Sequence, residues 1–362
     1  MPQPFVTRPL SLALDVLRVV CAFLVLLMHI GGSAHYHGSF SLNERISHNS
    51  VIVFFVLSGL VISASVDQRN TTLRSYTIAR MARIVPVAAL AVAFSCVVFW
   101  QIKQASGPLP PDFAGSLGHS AGLGLTFMSQ SRFGDGAPWN AAYWSLCYEV
   151  WYYALFGAAV FLKGGLRLVA VAALAWLAGW QILLLWPLWL AGVLLNRSNW
   201  ARSITLAQAA WILPGCVVAM KFVTLWDWPA LLALRSLVPF SLGLSEWILS
   251  DIAVALIASV GIAALRPVAE RYAAQIGRFA RPIRYAAGFS FTLYLFHVPT
   301  FQTLVMLGWD AGDNVFTLAA TLAAIAAICA GIAEVCERRT PALRRWIERR
   351  FAERASLAPQ TA

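Results

Sequence analysis

Arg18 and His29 lie eleven residues apart within the apolar stretch Leu12–Ile30. At 3.6 residues per turn that is about three turns, so the two side chains share one helix face, about 16 Å apart along the axis. A guanidinium at the centre of a lipid-spanning helix costs about 2.5–3.5 kcal/mol on insertion scales. Two such costly residues on one face point to a polar chamber inside a helix bundle rather than to lipid contact. An imidazole takes and returns a proton near neutral pH, which makes His29 a candidate general base. A guanidinium grips phosphate through paired hydrogen bonds, so Arg18 suits an anionic ligand, and Asp15, three residues earlier, is the competing salt-bridge partner.

Further residues carry the same kind of signal. Arg80 and Arg83 sit three apart on one face at the start of the third apolar segment. They serve either a phosphate-bearing ligand or plain anchoring on the positive side of a membrane. Glu149 is an acid within an apolar segment, four residues from Ser145 and five from Trp144, and Arg18 or a histidine is its expected partner. Ser290, Tyr294 and His297 form a second polar stripe at spacings of four and three. His35, His37, His48 and His119 fall in expected outer loops; no acidic or thiol set accompanies them at a recognised spacing, so no metal is expected. Six cysteines lie in or beside apolar segments without a paired spacing, which indicates neither a disulfide framework nor a zinc site. Trp139, Tyr143, Trp144, Trp151 and Tyr152 gather near the expected outer mouth, as an interfacial belt or as a stacking surface for sugar rings.

The elements that must position these residues follow from composition. The chain has 362 residues, 59% hydrophobic and 12% charged, with a mean hydropathy of +0.69. Soluble domains carry about a quarter charged residues. The pattern is that of an all-α polytopic membrane bundle; outer-membrane barrel strands would alternate polar and apolar residues. Expected spans are 11–33, 48–65, 80–101, 141–162, 166–181, 182–197, 203–224, one crossing within 229–266, 286–308 and 314–336. The net charge of +11 gathers in 67–83, 266–284 and the tail from Glu337, which fits cytoplasmic loops better than nucleic-acid binding. Glu44, Asp112, Asp135, Asp227, Asp310 and Asp313 mark the opposite side. Alternation then permits one or three crossings between 229 and 266, of which a single full crossing near 247–265 is the simpler, with 229–245 a re-entrant, interfacial or broken helix. The expectation is about ten crossings with both termini cytoplasmic. Residues 1–340 are expected to form one transmembrane domain and 341–362 a basic tail on the inner surface, with no fused soluble domain expected. The long outer loop 102–140, rich in Gly, Pro and Ser, reads as functional or mobile.

Five motifs in order then match a known family. They are Leu14-Asp15-Val16-Leu17-Arg18 through His29, Phe54-Phe55-Val56-Leu57-Ser58-Gly59, Arg80-Met81-Ala82-Arg83-Ile84-Val85-Pro86, Trp144-Ser145-Leu146-Cys147-Tyr148-Glu149, and Gly288-Phe289-Ser290-Phe291-Thr292-Leu293-Tyr294-Leu295-Phe296-His297. The chain resembles the membrane-bound acyltransferase family 3, whose members O-acylate bacterial surface glycans and related acceptors. The resemblance implies Arg18 and His29 as the catalytic pair and Arg80 and Arg83 as contacts to a coenzyme A donor. Phe291 stands where the family usually has tyrosine, Met81 where a second basic residue is frequent, and the closing Glu-x-Pro is loosened to Glu337-Arg338-Arg339-Thr340-Pro341. Glu334 and Glu337 are therefore not assigned to the site. The implied activity is transfer of an acetyl group from acetyl-CoA to a hydroxyl of a glycan or glycolipid at the bacterial inner membrane. Catalytic residues are His29, Arg18 and Glu149; Trp144, Ser145, Ser290, Tyr294 and His297 orient or contact the acceptor. The competing reading is a secondary transporter or flippase, since intramembrane Arg, Glu and His also serve proton relays.

Overall fold

The computed structural model describes residues 4–39, 45–68, 72–134, 136–225 and 243–357, the last seven by backbone alone. Among these the chain is helical throughout. Each of the ten expected segments contains a helix: α1 (Arg8–Gly31), α2 (Arg45–Gln68), α3 (Leu73–Ala105), α5 (Trp144–Phe161), α6 (Gly164–Ala178), α7 (Trp180–Arg197), α9 (Leu206–Leu225), α10 (Ile248–Arg271), α13 (Ser290–Met306) and α14 (Val315–Val335). Between and after them lie α4 (Phe113–Leu125), α8 (Asn199–Ser203), α11 (Ala273–Arg278), α12 (Ala280–Ala287) and α15 (Thr340–Leu357). Six of the described helices are long and apolar enough to cross a membrane, and a seventh span arises if α6 and α7 count as one. α13 is shorter, at 17 residues, and α5 carries Glu149 and several aromatic hydroxyls. Up to residue 242, the expected broken segment 229–245 lies outside the described residues, with Arg235 and Trp226–Trp228. Glu44, Arg69, Asp135, Asp227 and the side chain of Arg354 do so as well.

Local chemistry sets the helix starts. Thr7 accepts from the Leu10 amide with Pro9 in the first turn of α1, and Thr72 with Ser75 makes a reciprocal cap on α3. Asn314 and Thr317 do the same for α14. α3 begins at Leu73, so Arg80 and Arg83 sit inside that helix rather than opening it. Gly179, at φ +83°, closes α6 and starts α7, and the chain turns by 118° there; a side chain would strain that backbone. The segments expected as two spans, 166–181 and 182–197, are thus two short helices joined by a sharp bend.

α2 packs most extensively against α7. Two glycines make this possible: a Cβ on Gly59 would stand 2.0 Å from the Trp189 carbonyl oxygen, and one on Gly192 2.0 Å from that of Val56. Apolar side chains gain little by leaving lipid for a neighbouring helix, so close backbone approach at small residues is a main source of helix association. Outward faces are apolar: Trp211, Val217, Leu168, Val169 and Phe316 are exposed. Within the described part of 102–140, α4 packs on α3, and Trp139, buried, donates to Ser120. α15 packs back along α3.

Candidate functional site

α1 ends, and α2 and α5 begin, around one cavity of about 300 Å³, with Leu244 of the turn Gly243–Ser245 in its wall. His29, in the last turn of α1, lines it. Its Nδ1 lies 2.7 Å from Nε2 of His297, which is fully buried on α13. Nδ1 of His297 lies 2.8 Å from the Tyr294 carbonyl and 3.1 Å from that of Leu293. Carbonyls only accept, so His297 carries its proton on Nδ1 and its Nε2 is an acceptor. His29 must then donate from Nδ1, which leaves His29 Nε2 as a lone pair open to the cavity. The second polar stripe thus selects the tautomer that a proton acceptor needs. His297, and not Glu149, orients His29.

A second, smaller cavity of about 100 Å³ lies deeper, walled by Arg18, Arg80, Arg83, Ser58, Glu149 and Tyr153 among others. Glu149 Oε1 accepts from Ser58 and from Tyr153, each at 2.5 Å, while Trp189 donates to Ser58 at 3.1 Å. The expected partner, Arg18 or a histidine, is corrected: the carboxylate is held by two hydroxyls, Tyr153 one turn on in α5 and Ser58 from the neighbouring α2. Arg18 instead pairs with Asp15 at 3.2 Å, as its competing reading had it, and still lines the cavity. No carboxylate among the described residues pairs with Arg80 or Arg83, and the Arg80 Nε is buried without a partner. Guanidinium in excess of carboxylate in a cleft favours an anion. Arg18 and Arg83 also line a third cavity, about 190 Å³, at the end of the bundle where α1 begins.

Tyr294 and Val51 belong to the walls of both the His29 cavity and the arginine cavity. The Tyr294 hydroxyl and Ser145 Oγ lie 2.7 Å apart, so this pair stands between the two chambers. Ser290 lines the arginine cavity, with its hydroxyl donating to the Ala287 carbonyl.

Several expectations change. His48 is not in an outer loop; it opens α2, and its Nε2 lies 2.9 Å from Oδ1 of Asp251, a fully buried residue in the first turn of α10. The sequence reading passed over Asp251, although an acid inside the expected span 247–265 is the same kind of signal as Glu149. Glu337, left out of the site, is buried and accepts from the Thr292 amide at 2.9 Å and its hydroxyl at 2.8 Å. It thereby caps the helix that carries Tyr294 and His297. Trp139, Tyr143, Trp151 and Tyr152 form neither a belt nor a sugar platform: all are buried, the last three bonding the carbonyls of Gly124, Phe127 and Ile182. Trp144 alone of that group lines the His29 cavity. His37 pairs with exposed Asp310 at 3.5 Å. All six cysteines are free, and among the described residues no group of three metal-ligating side chains gathers.

Compared with known protein families, residues 11–333 match the acyltransferase domain of acyltransferase family 3. No curated protein and no solved structure matches the chain significantly.

Proposed function

From the premise that this chain belongs to acyltransferase family 3, we propose that it is a multi-pass O-acyltransferase of the bacterial inner membrane. It moves an acyl group, most simply acetyl, from acyl-coenzyme A to a hydroxyl of a glycan or glycolipid. The observation that carries this reading is the His29–His297 pair, whose geometry leaves a basic nitrogen facing a cavity that shares a wall with an arginine-lined one. Family membership favours transfer over the transporter alternative.

In this reading about ten helices cross the membrane with both termini in the cytoplasm, and the basic tail lies on the inner surface. The donor approaches from the end where α1 begins. Its phosphates meet Arg83 and Arg80, with Arg18 near the thioester. The acceptor hydroxyl occupies the His29 cavity. His29 Nε2 takes the hydroxyl proton as the oxygen attacks the thioester carbonyl. Collapse of the tetrahedral adduct breaks the C–S bond, and the proton passes from His29 to the departing thiolate. His297 stabilises the imidazolium by accepting from Nδ1–H throughout.

The test uses purified chain in lipid nanodiscs with labelled acetyl-CoA. His29→Ala should lower acyl transfer by about 10²–10⁴-fold. A folded variant that transfers at the wild-type rate would sink the assignment. A pre-steady-state burst of coenzyme A, with label retained on the protein, would instead mark His29 as a transient acyl carrier.

A further inference from the structure

His29 is not alone in the outward cavity. His48 lines it as well, and its tautomer is also set from behind. Nε2 donates to Asp251 Oδ1 at 2.9 Å, and Asp251 sits in the first turn of α10, where the helix dipole favours a negative charge. In the neutral ring Nδ1 is then an acceptor, and no described residue donates to it. The ring lies parallel to Trp144 at a centroid distance of 5.9 Å with 10° between planes. Trp144 is in turn packed edge-on by Phe55 and Tyr148, so His48 cannot swing away cheaply.

With both rings neutral and Asp251 ionised, His29 Nε2 and His48 Nδ1 are both acceptors, and both residues line one cavity of about 300 Å³. That volume is at the low end for small-molecule pockets and suits one ring. A ligand that offers one hydroxyl satisfies one nitrogen and leaves the other dry and unpaired, at a cost of about 1–3 kcal/mol. A ligand with two neighbouring hydroxyls satisfies both. The rest of the wall is mostly apolar, with Val25, Met28, Val51, Trp144 and Leu244 beside the hydroxyl-bearing Ser47 and Tyr294; the apolar part suits the C–H face of a saturated ring.

We propose that His48, held by Asp251, and Trp144 form the acceptor subsite, and that the acceptor is a ring diol. One hydroxyl is acylated at His29 while its neighbour donates to His48 Nδ1. This rests on the acyltransferase reading above and adds the acceptor's chemical class and a specificity-determining residue.

The experiment uses the full chain in nanodiscs, acetyl-CoA, and two simple probes: cis-cyclohexane-1,2-diol and cyclohexanol. Coenzyme A release with water as acceptor is measured alongside. The wild type should favour the diol over the mono-ol in kcat/KM by about 5–150-fold, the rate equivalent of one unpaired buried acceptor. His48→Phe keeps a ring against Trp144 and removes the acceptor nitrogen, so the ratio should fall to near one. Asp251→Asn, which frees the ring to present a donor instead, should also collapse the ratio. Equal use of both probes by the wild type overturns the proposal even if neither variant folds, and so does a ratio that survives in folded His48→Phe. Turnover of acetyl-CoA by water without transfer to either probe overturns the diol subsite and spares the acyltransferase reading. Absence of any acetyl-CoA turnover removes both.

Discussion

The functional weight of the site rests on one proton. Because Tyr294 and Leu293 offer only carbonyls to His297, the proton order runs one way, from His29 Nδ1 to His297 Nε2. His297→Phe removes that acceptor and lets the His29 ring turn. Acyl transfer should lose about 10²-fold in kcat, with KM for acyl-CoA within about twofold, because a misplaced base costs the transition state and not donor binding. Steady-state kinetics on the purified variant checks this; a rise in KM with kcat intact would make His297 a donor contact instead. Glu149 has no bond to His29, since its bonds go to Ser58 and Tyr153. Glu149→Gln keeps an oxygen for one of those hydroxyls and should cost less than His297→Phe in the same assay. The reverse order would return Glu149 to the reacting atoms.

At the scale of elements, the site depends on how closely α2 and α7 approach. Gly59 and Gly192 let the two backbones touch, and that contact brings Trp189 to Ser58, the hydroxyl that donates to Glu149 on α5. Gly59→Ala puts a methyl against the Trp189 carbonyl, backbone that cannot step aside. Overpacking of this kind costs about 1–3 kcal/mol or more, so the thermal midpoint in detergent should fall along with activity. An unchanged midpoint would show that the helices can part without loss. Glu337 plays a similar part for α13, where its carboxylate meets the Thr292 amide and hydroxyl near the helix start. The loosened motif at Glu337 weakened it as a sequence signal, yet burial and two hydrogen bonds explain why an acid stands there.

For the whole molecule, the two kinds of cavity face opposite ends of one bundle. Helix ends around the His29 cavity are the C-terminus of α1 and the N-termini of α2 and α5, whereas α1 starts and α2 ends at the arginine side. In the proposed reaction, feeding from both ends would bring an anionic donor and a neutral hydroxyl together without either crossing the full membrane. The proposed orientation is checked by thiol labelling in intact cells, with single cysteines placed on a chain freed of its native six. Ser106→Cys, after α3, should react with a membrane-impermeant maleimide from outside. Arg344→Cys, in α15, should react only after permeabilisation. The opposite pattern would invert the donor side.

Much of this was legible in the chain itself. Apolar runs of about 20 residues can satisfy their backbone in lipid only as helices, so all ten expected segments contain helices. The eleven-residue spacing of Arg18 and His29 fixed their common face because helix periodicity is local. Partners were another matter. Glu149 meeting Ser58, His29 meeting His297 and His48 meeting Asp251 join residues 91, 268 and 203 positions apart. No periodicity within one helix encodes which neighbour its polar residue will face. The packing of α2 on α5, of α1 on α13 and of α2 on α10 decides that. Tertiary packing alone therefore determined which nitrogen of His29 is free, and that His48 opens onto the same chamber.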